Sequence, residues 1–135
     1  MIIKLANQRA KILGLLIDYF GDDDKRIAHA REVLREADIL LKNYKNCDEE
    51  IVIAVALLHD VGIKVSEEKH GYNSGETQEI YGPAVAEGLL ASINFPKDKI
   101  EVVKNIISNH HSPSRYDYPE LSLLKATDHI VNSKG

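Results

Sequence analysis

The feature that most constrains this chain is an unbroken apolar run, Ile51 to Leu58 (IVIAVALL), that leads directly into His59-Asp60. A helix that is apolar on every side has no face to offer to water, so this one belongs at the centre of a fold. An ionisable pair therefore ends the most buried segment of the molecule. Burying such groups costs free energy unless they are hydrogen-bonded, paired or bound to a metal.

Around this segment, apolar residues recur at three- and four-residue steps, and no stretch shows sustained period-two alternation between tight turns. The pattern predicts an all-α fold, a single-domain bundle of about six helices at 3–20, 25–44, 49–60, 81–93, 97–110 and 119–132. With 135 residues, 44% of them hydrophobic and 28% charged, the chain suits one compact domain over 1–135. Gly21 and the Asp22-Asp23-Asp24 run separate the first two helices. Asp48 is placed to cap the third, Glu49 and Glu50 complement its dipole, and Gly62 is expected to end it. Pro83, Pro96 and Pro119 are expected in or beside first helical turns, and Pro113 just past the end of the fifth helix. Between the third and fourth helices, Lys64 to Thr77 (KVSEEKHGYNSGET) reads as a polar, mobile loop bordering the functional site.

Several function classes are disfavoured. Seventeen basic against 21 acidic residues give a net charge of -4, with no dense Lys/Arg run to track a nucleic-acid polymer. The N-terminal stretch MIIKLANQRAKILGLLIDYFGDD is interrupted by Lys4, Gln8, Arg9 and Lys11, so it reads as an amphipathic helix and not as a signal peptide. The longest apolar run is far short of the roughly 20 residues that span a bilayer, and no membrane partner is expected. Cys47 stands alone, which excludes an internal disulfide and a cysteine-based zinc ribbon and points to a reducing, cytoplasmic setting.

The informative residues are polar groups on otherwise apolar faces. His29 shares a face with Val33, Ala37 and Leu40; His110 follows Val103 by seven and Ile107 by three; His111 follows Ile107 by four; Asp128 follows Leu124 by four. Taken singly, each has an ordinary explanation. A lone inward histidine is most often a hydrogen-bonded core residue, Asp128 could be a salt-bridge partner, and His110-His111 could mark a helix end. His70 and His129 fit that ordinary reading best. Taken together, imidazoles and carboxylates converging from separate helices are the nitrogen and oxygen ligands of a divalent cation. One common ion accounts for several neighbouring buried charges at once.

In order and setting, His29, then His59-Asp60, then Asp128 resembles the HD-domain superfamily of metal-dependent phosphohydrolases. The resemblance runs from about Arg26 to Val131 and is carried by HAREVLREADIL, ALLHDVG, GPAVAEGLL, IISNHHSP and LLKATDHI. It implies an all-α bundle holding one divalent metal ion (Mn, Fe, Co, Ni, Zn or Mg) through His29, His59, Asp60 and Asp128. It also implies hydrolysis of a small phosphorylated molecule, nucleotides included, by metal-bound water, with Asp60 orienting that water as the catalytic residue. Lys64, His110, His111 and Arg115 are then the candidate phosphate contacts.

The chain also departs from relatives that it resembles. Two-metal members carry a histidine four residues before the glycine of the next helix, where this chain has Gln78 before Gly82, so one tightly held ion is expected. Nucleotidase-like and alarmone-hydrolase members carry a glutamate three residues after the HD aspartate, where this chain has Ile63. The segment HHSPSRYDYPE lacks the glycines of the cyclic-dinucleotide branch. Two alternatives follow, a two-iron HD-type oxygenase and a degenerate metal-binding signalling module.

Overall fold

The structure, a computed structural model, describes residues 2–134. Among them there is no strand, and the all-α expectation holds. The helices are α1 (Ile2–Phe20), α2 (Asp24–Leu40), α3 (Glu49–Leu58), α4 (Gly62–His70), α5 (Gly75–Ala91), α6 (Lys97–Ile107) and α7 (Pro119–Ser133), with a 3-10 turn at Leu41–Asn43.

Helix α3 is the axis of the bundle. Every residue from Ile51 to Leu58 is buried, and α3 touches α1, α2, α6 and α7. Fully burying each of its larger aliphatic side chains contributes about 1.5–3 kcal/mol. Its start is set as the sequence predicts: the Asp48 carboxylate accepts from the backbone N–H groups of Glu50 and Ile51 at 2.9 and 3.3 Å. Glu120, buried on α7, in turn accepts from the Asp48 N–H at 2.6 Å, tying the two helices together. Helix α1 lays Ile12, Leu16 and Phe20 into the core and stops at Gly21, whose φ of 59° lets its N–H reach the Ile17 carbonyl. Asp23 caps α2, which buries Ala30, Val33, Leu34 and Ala37.

The region after His59-Asp60 differs from expectation. Lys64 to Thr77 is not a loop: it holds most of α4, a short turn, and the first residues of α5. Gly71, with φ of 78°, closes α4 by donating its N–H to the Glu67 carbonyl, while Ser74 and Thr77 form a reciprocal capping box that starts α5. Pro83 consequently lies inside α5 and not in its first turn. Lacking an N–H, it leaves the Glu79 carbonyl without its usual helical donor. Gly62 does not end α3, which stops at Leu58, but opens α4. Helix α6 ends at Ile107, so His110 and His111 stand in the irregular segment after it, ahead of Pro113.

Two glycines fix how α4, α5 and α6 meet. A Cβ on Gly62 would lie 2.7 Å from the backbone nitrogen of Gly82 and 2.8 Å from the Gln78 carbonyl oxygen. A Cβ on Gly82 would lie 2.7 Å from Ile107 Cγ2, which belongs to a fully buried side chain. Gly88, also on α5, has nothing within 4 Å of the same position. Gly82→Ala should therefore destabilise the fold by about 1–3 kcal/mol through overpacking. Gly88→Ala should stabilise it by up to about 1 kcal/mol through helix propensity. Opposite shifts of the urea midpoint for these two changes in one helix are the expected result.

Candidate metal centre

The site is built where helices run out. At the end of α3 the last carbonyls have no helical donor, and His59 turns its ring back so that Nδ1 donates to the Ala56 carbonyl at 2.9 Å. Because a carbonyl only accepts, Nδ1 carries a proton and Nε2 points away from the helix. At the end of α6 the device recurs: His110 Nδ1 donates to the Ile107 carbonyl at 2.6 Å. Both rings are buried, and neither Nε2 has a hydrogen-bond partner. The turn carrying Asp60 is held from α1, where the Tyr19 hydroxyl donates to the Val61 carbonyl at 2.9 Å.

Helices α2 and α7 bring the remaining donors. His29 Nε2 lies 3.5 Å from Asp60 Oδ2 and 3.3 Å from Asp128 Oδ1. His59 Nε2 lies 3.4 and 3.6 Å from the same two oxygens. These separations are long for hydrogen bonds, and they are what neighbouring donor atoms show around one ion held by bonds of roughly 2.0–2.2 Å. Asp128 Oδ1 is likewise buried without a hydrogen-bond partner. Orphaned nitrogen and oxygen atoms facing one point fit a divalent cation, and the residues that could hold one fall into two adjoining groups, His29, His59 and Asp128, and Asp60, His110 and His111. The Asp60 carboxylate lies between the groups.

The electrostatics match a site prepared for positive charge. Burial opposes ionisation of His59, but the Asp60 and Asp128 carboxylates prevail and raise its pKa to about 9. Burial also works against the Asp128 carboxylate, yet His29 and His59 hold its pKa well below the usual carboxylate range. His110 behaves oppositely: burial, with His59 and His111 adding to it, lowers its pKa to about 4, so its imidazole is neutral at ordinary pH.

The other residues singled out in the sequence fall into two sets. His111 stands beside His110, their ring centroids 4.0 Å apart. Its Nε2 is 2.6 Å from Gln78 Oε1, the first link of a polar chain. Gln78 Nε2 donates to Asn73 Oδ1 at 3.0 Å, Asn73 Nδ2 to Glu67 Oε2 at 2.9 Å, and Arg26 grips both Glu67 oxygens. Lys64 is turned towards α1, with Nζ 3.1 Å from the Tyr19 carbonyl and above the Tyr19 ring. Arg115 is exposed and reaches the Ser108 carbonyl at 3.3 Å. His70 meets the Tyr81 hydroxyl at 2.7 Å on the surface, and His129 is exposed. Two residues that the sequence pattern did not single out matter here. Glu79 accepts from the His111 N–H and the Ser112 hydroxyl, and Lys125, three positions before Asp128, bonds the Ser112 carbonyl.

No helix among the described residues is long and apolar enough to cross a membrane. The HD domain family model matches residues 26–133, a span that contains all four converging ligand candidates and both adjacent histidines. The chain is also similar to the crystal structure of a predicted HD superfamily hydrolase from an uncultured Thermotogales bacterium. The TM-score is 0.65 and the identity 26%, over 90% of this chain and 66% of that one. No curated protein matches the chain. A family match over most of the sequence, a similar solved fold, and two histidines and two aspartates gathered from α2, the α3 end and α7 lead to one conclusion: this chain belongs to the HD-domain family.

Proposed function

We propose that this protein is a metal-dependent phosphohydrolase acting on a small phosphorylated molecule, with His29, His59, Asp60 and Asp128 holding one divalent cation. The observation that carries this reading is the pair of buried atoms without hydrogen-bond partners, His59 Nε2 and Asp128 Oδ1, facing His29 and Asp60. When bound, such an ion lowers the pKa of water and withdraws charge from a phosphoryl oxygen. The chain then has to supply geometry and a proton acceptor. Asp60, whose carboxylate adjoins both groups of donors, is the residue we assign to orienting the attacking water. Neutral His110 offers an unprotonated Nε2 to the substrate side of the cluster, and His111 is steadied by Gln78.

Nuclearity separates this reading from its alternative. Asp60, His110 and His111 form a second group that could hold an ion, which is the observation favouring a two-metal, oxygenase-like centre. Against it, the position facing His111 is occupied by an amide, a poor donor to a borderline transition metal compared with imidazole. Metal analysis of the purified protein, followed by a phosphoester panel with Mn, Fe, Co, Ni, Zn or Mg restored in turn, tests the reading directly. One tightly held ion with phosphoester turnover is expected. Two fully occupied irons with oxygen consumption would favour the oxygenase, and metal binding without turnover would favour a signalling module.

Asp60→Ala should remove metal and activity together, with a loss beyond the ~10–100-fold typical of residues that merely support ligands. Full occupancy and rate in that variant would show the assignment of Asp60 to be wrong. Gln78→His should raise the metal stoichiometry towards two, because it places a nitrogen donor opposite His111; a ratio unchanged by elemental analysis would count against the role given to Gln78.

A further inference from the structure

The cations of the bundle differ in what already neutralises them. Arg26 lies against Asp23 and Glu67, Arg9 against Asp38, Lys99 against Asp48 and Glu50, Lys104 against Glu87 and Glu101, and Lys134 against Glu36. Lys125 is half-buried, yet among the described residues it has no carboxylate within ion-pairing distance. Its ammonium instead meets two neutral acceptors, the Ser112 carbonyl at 2.6 Å and the Ser114 hydroxyl at 2.7 Å. An ammonium carries three N–H donors, so one remains for a further acceptor. Among the described residues no carboxylate pairs with its charge.

The position of this ammonium is specific. Residues three apart on a helix are surface neighbours, so Lys125 rises from α7 one turn before Asp128. Its tip reaches the segment that immediately follows His110-His111. It therefore ties α7, one turn before the metal-ligand candidate Asp128, to the segment that carries on from the histidine pair. The Ser112 hydroxyl that shares this corner is held by Glu79, which keeps the segment in place. Lys64 bonds a carbonyl of α1, and Arg115 is exposed, so neither combines this proximity with partial burial.

We propose that Lys125 recognises a non-bridging phosphoryl oxygen of the substrate, a phosphate-binding residue one turn from Asp128. This rests on the phosphohydrolase reading above and adds to it the residue that meets the phosphoryl charge on the side away from the ion. The competing role is a purely structural strap for residues 112–114. The two differ in what the ammonium does once a strap bond is altered.

The test measures inorganic phosphate binding to the metal-loaded protein by calorimetry, alongside metal stoichiometry and thermal midpoint. Lys125→Met should weaken phosphate binding about tenfold or more with metal stoichiometry unchanged. Ser114→Ala, which cuts one strap bond and leaves the ammonium, should bind phosphate as the parent does. Ser114→Asp should weaken phosphate binding while retaining Lys125, because it gives the ammonium a counter-ion, and should do so even if the methionine variant fails to fold. Adding Ser114→Asp to Lys125→Met should then cost no further affinity. Equal losses in Lys125→Met and Ser114→Ala, undiminished binding in Ser114→Asp, or no phosphate binding by the metal-loaded parent would each overturn the assignment. Phosphoester turnover by the parent reports separately on the phosphohydrolase reading, which survives if only Lys125 proves to be a strap.

Discussion

The bond from His59 Nδ1 to the Ala56 carbonyl is the interaction on which the site depends. It solves two problems in one contact. A buried helix end must satisfy its last carbonyls, and a buried imidazole must be held in one orientation. Donating backwards satisfies both and leaves Nε2 facing the other His and Asp side chains of the cluster. His110 repeats the arrangement with Ile107 at the end of α6. Two helix termini thus aim two imidazole Nε2 atoms without any separate scaffold. Because α3 is buried from Ile51 to Leu58, the first of these cannot be moved without disturbing the core.

The parts of this design that were legible in the sequence are those written in short-range chemistry. IVIAVALL announces a central helix, Asp48 announces its cap, and His29, His59, Asp60 and Asp128 stand out because they interrupt apolar faces. The stretch after Ile63 was not legible. In α4 only Gly62, Ile63 and Ser66 are buried, so its core-facing stripe is too narrow and too polar to announce a helix. Gly71 and Ser74 look like loop residues and are in fact the stop of one helix and the cap of the next. Thr77 and Gln78 are buried polar residues whose partners lie well away in the chain or across a capping box, and no periodicity reports them. Pro83 misleads for the opposite reason, since a proline deep in a helix is rarer than one at its start.

The consequence for the site is that its outer wall is helical and connected. The chain from His111 through Gln78, Asn73 and Glu67 to Arg26 links the segment after α6 to α5, the α4–α5 turn, α4 and α2. Much of it is exposed, so its single bonds are worth little in isolation. Its effect is orientation. An amide that must satisfy Asn73 with its nitrogen presents its oxygen to His111, and that oxygen selects the nitrogen of His111 that carries the proton.

Helix α1 lies before the span matched by the family model, yet its packing shows that similarity and structural integrity have different boundaries. Ile12, Leu16 and Phe20 are buried in the same core as α3, and the Tyr19 hydroxyl holds the carbonyl next to Asp60. A fragment trimmed to the recognisable domain would expose one flank of its central helix and release the turn that presents the aspartate. The packed unit of this protein is therefore larger than its recognisable one, and the additional helix braces the turn that carries Asp60.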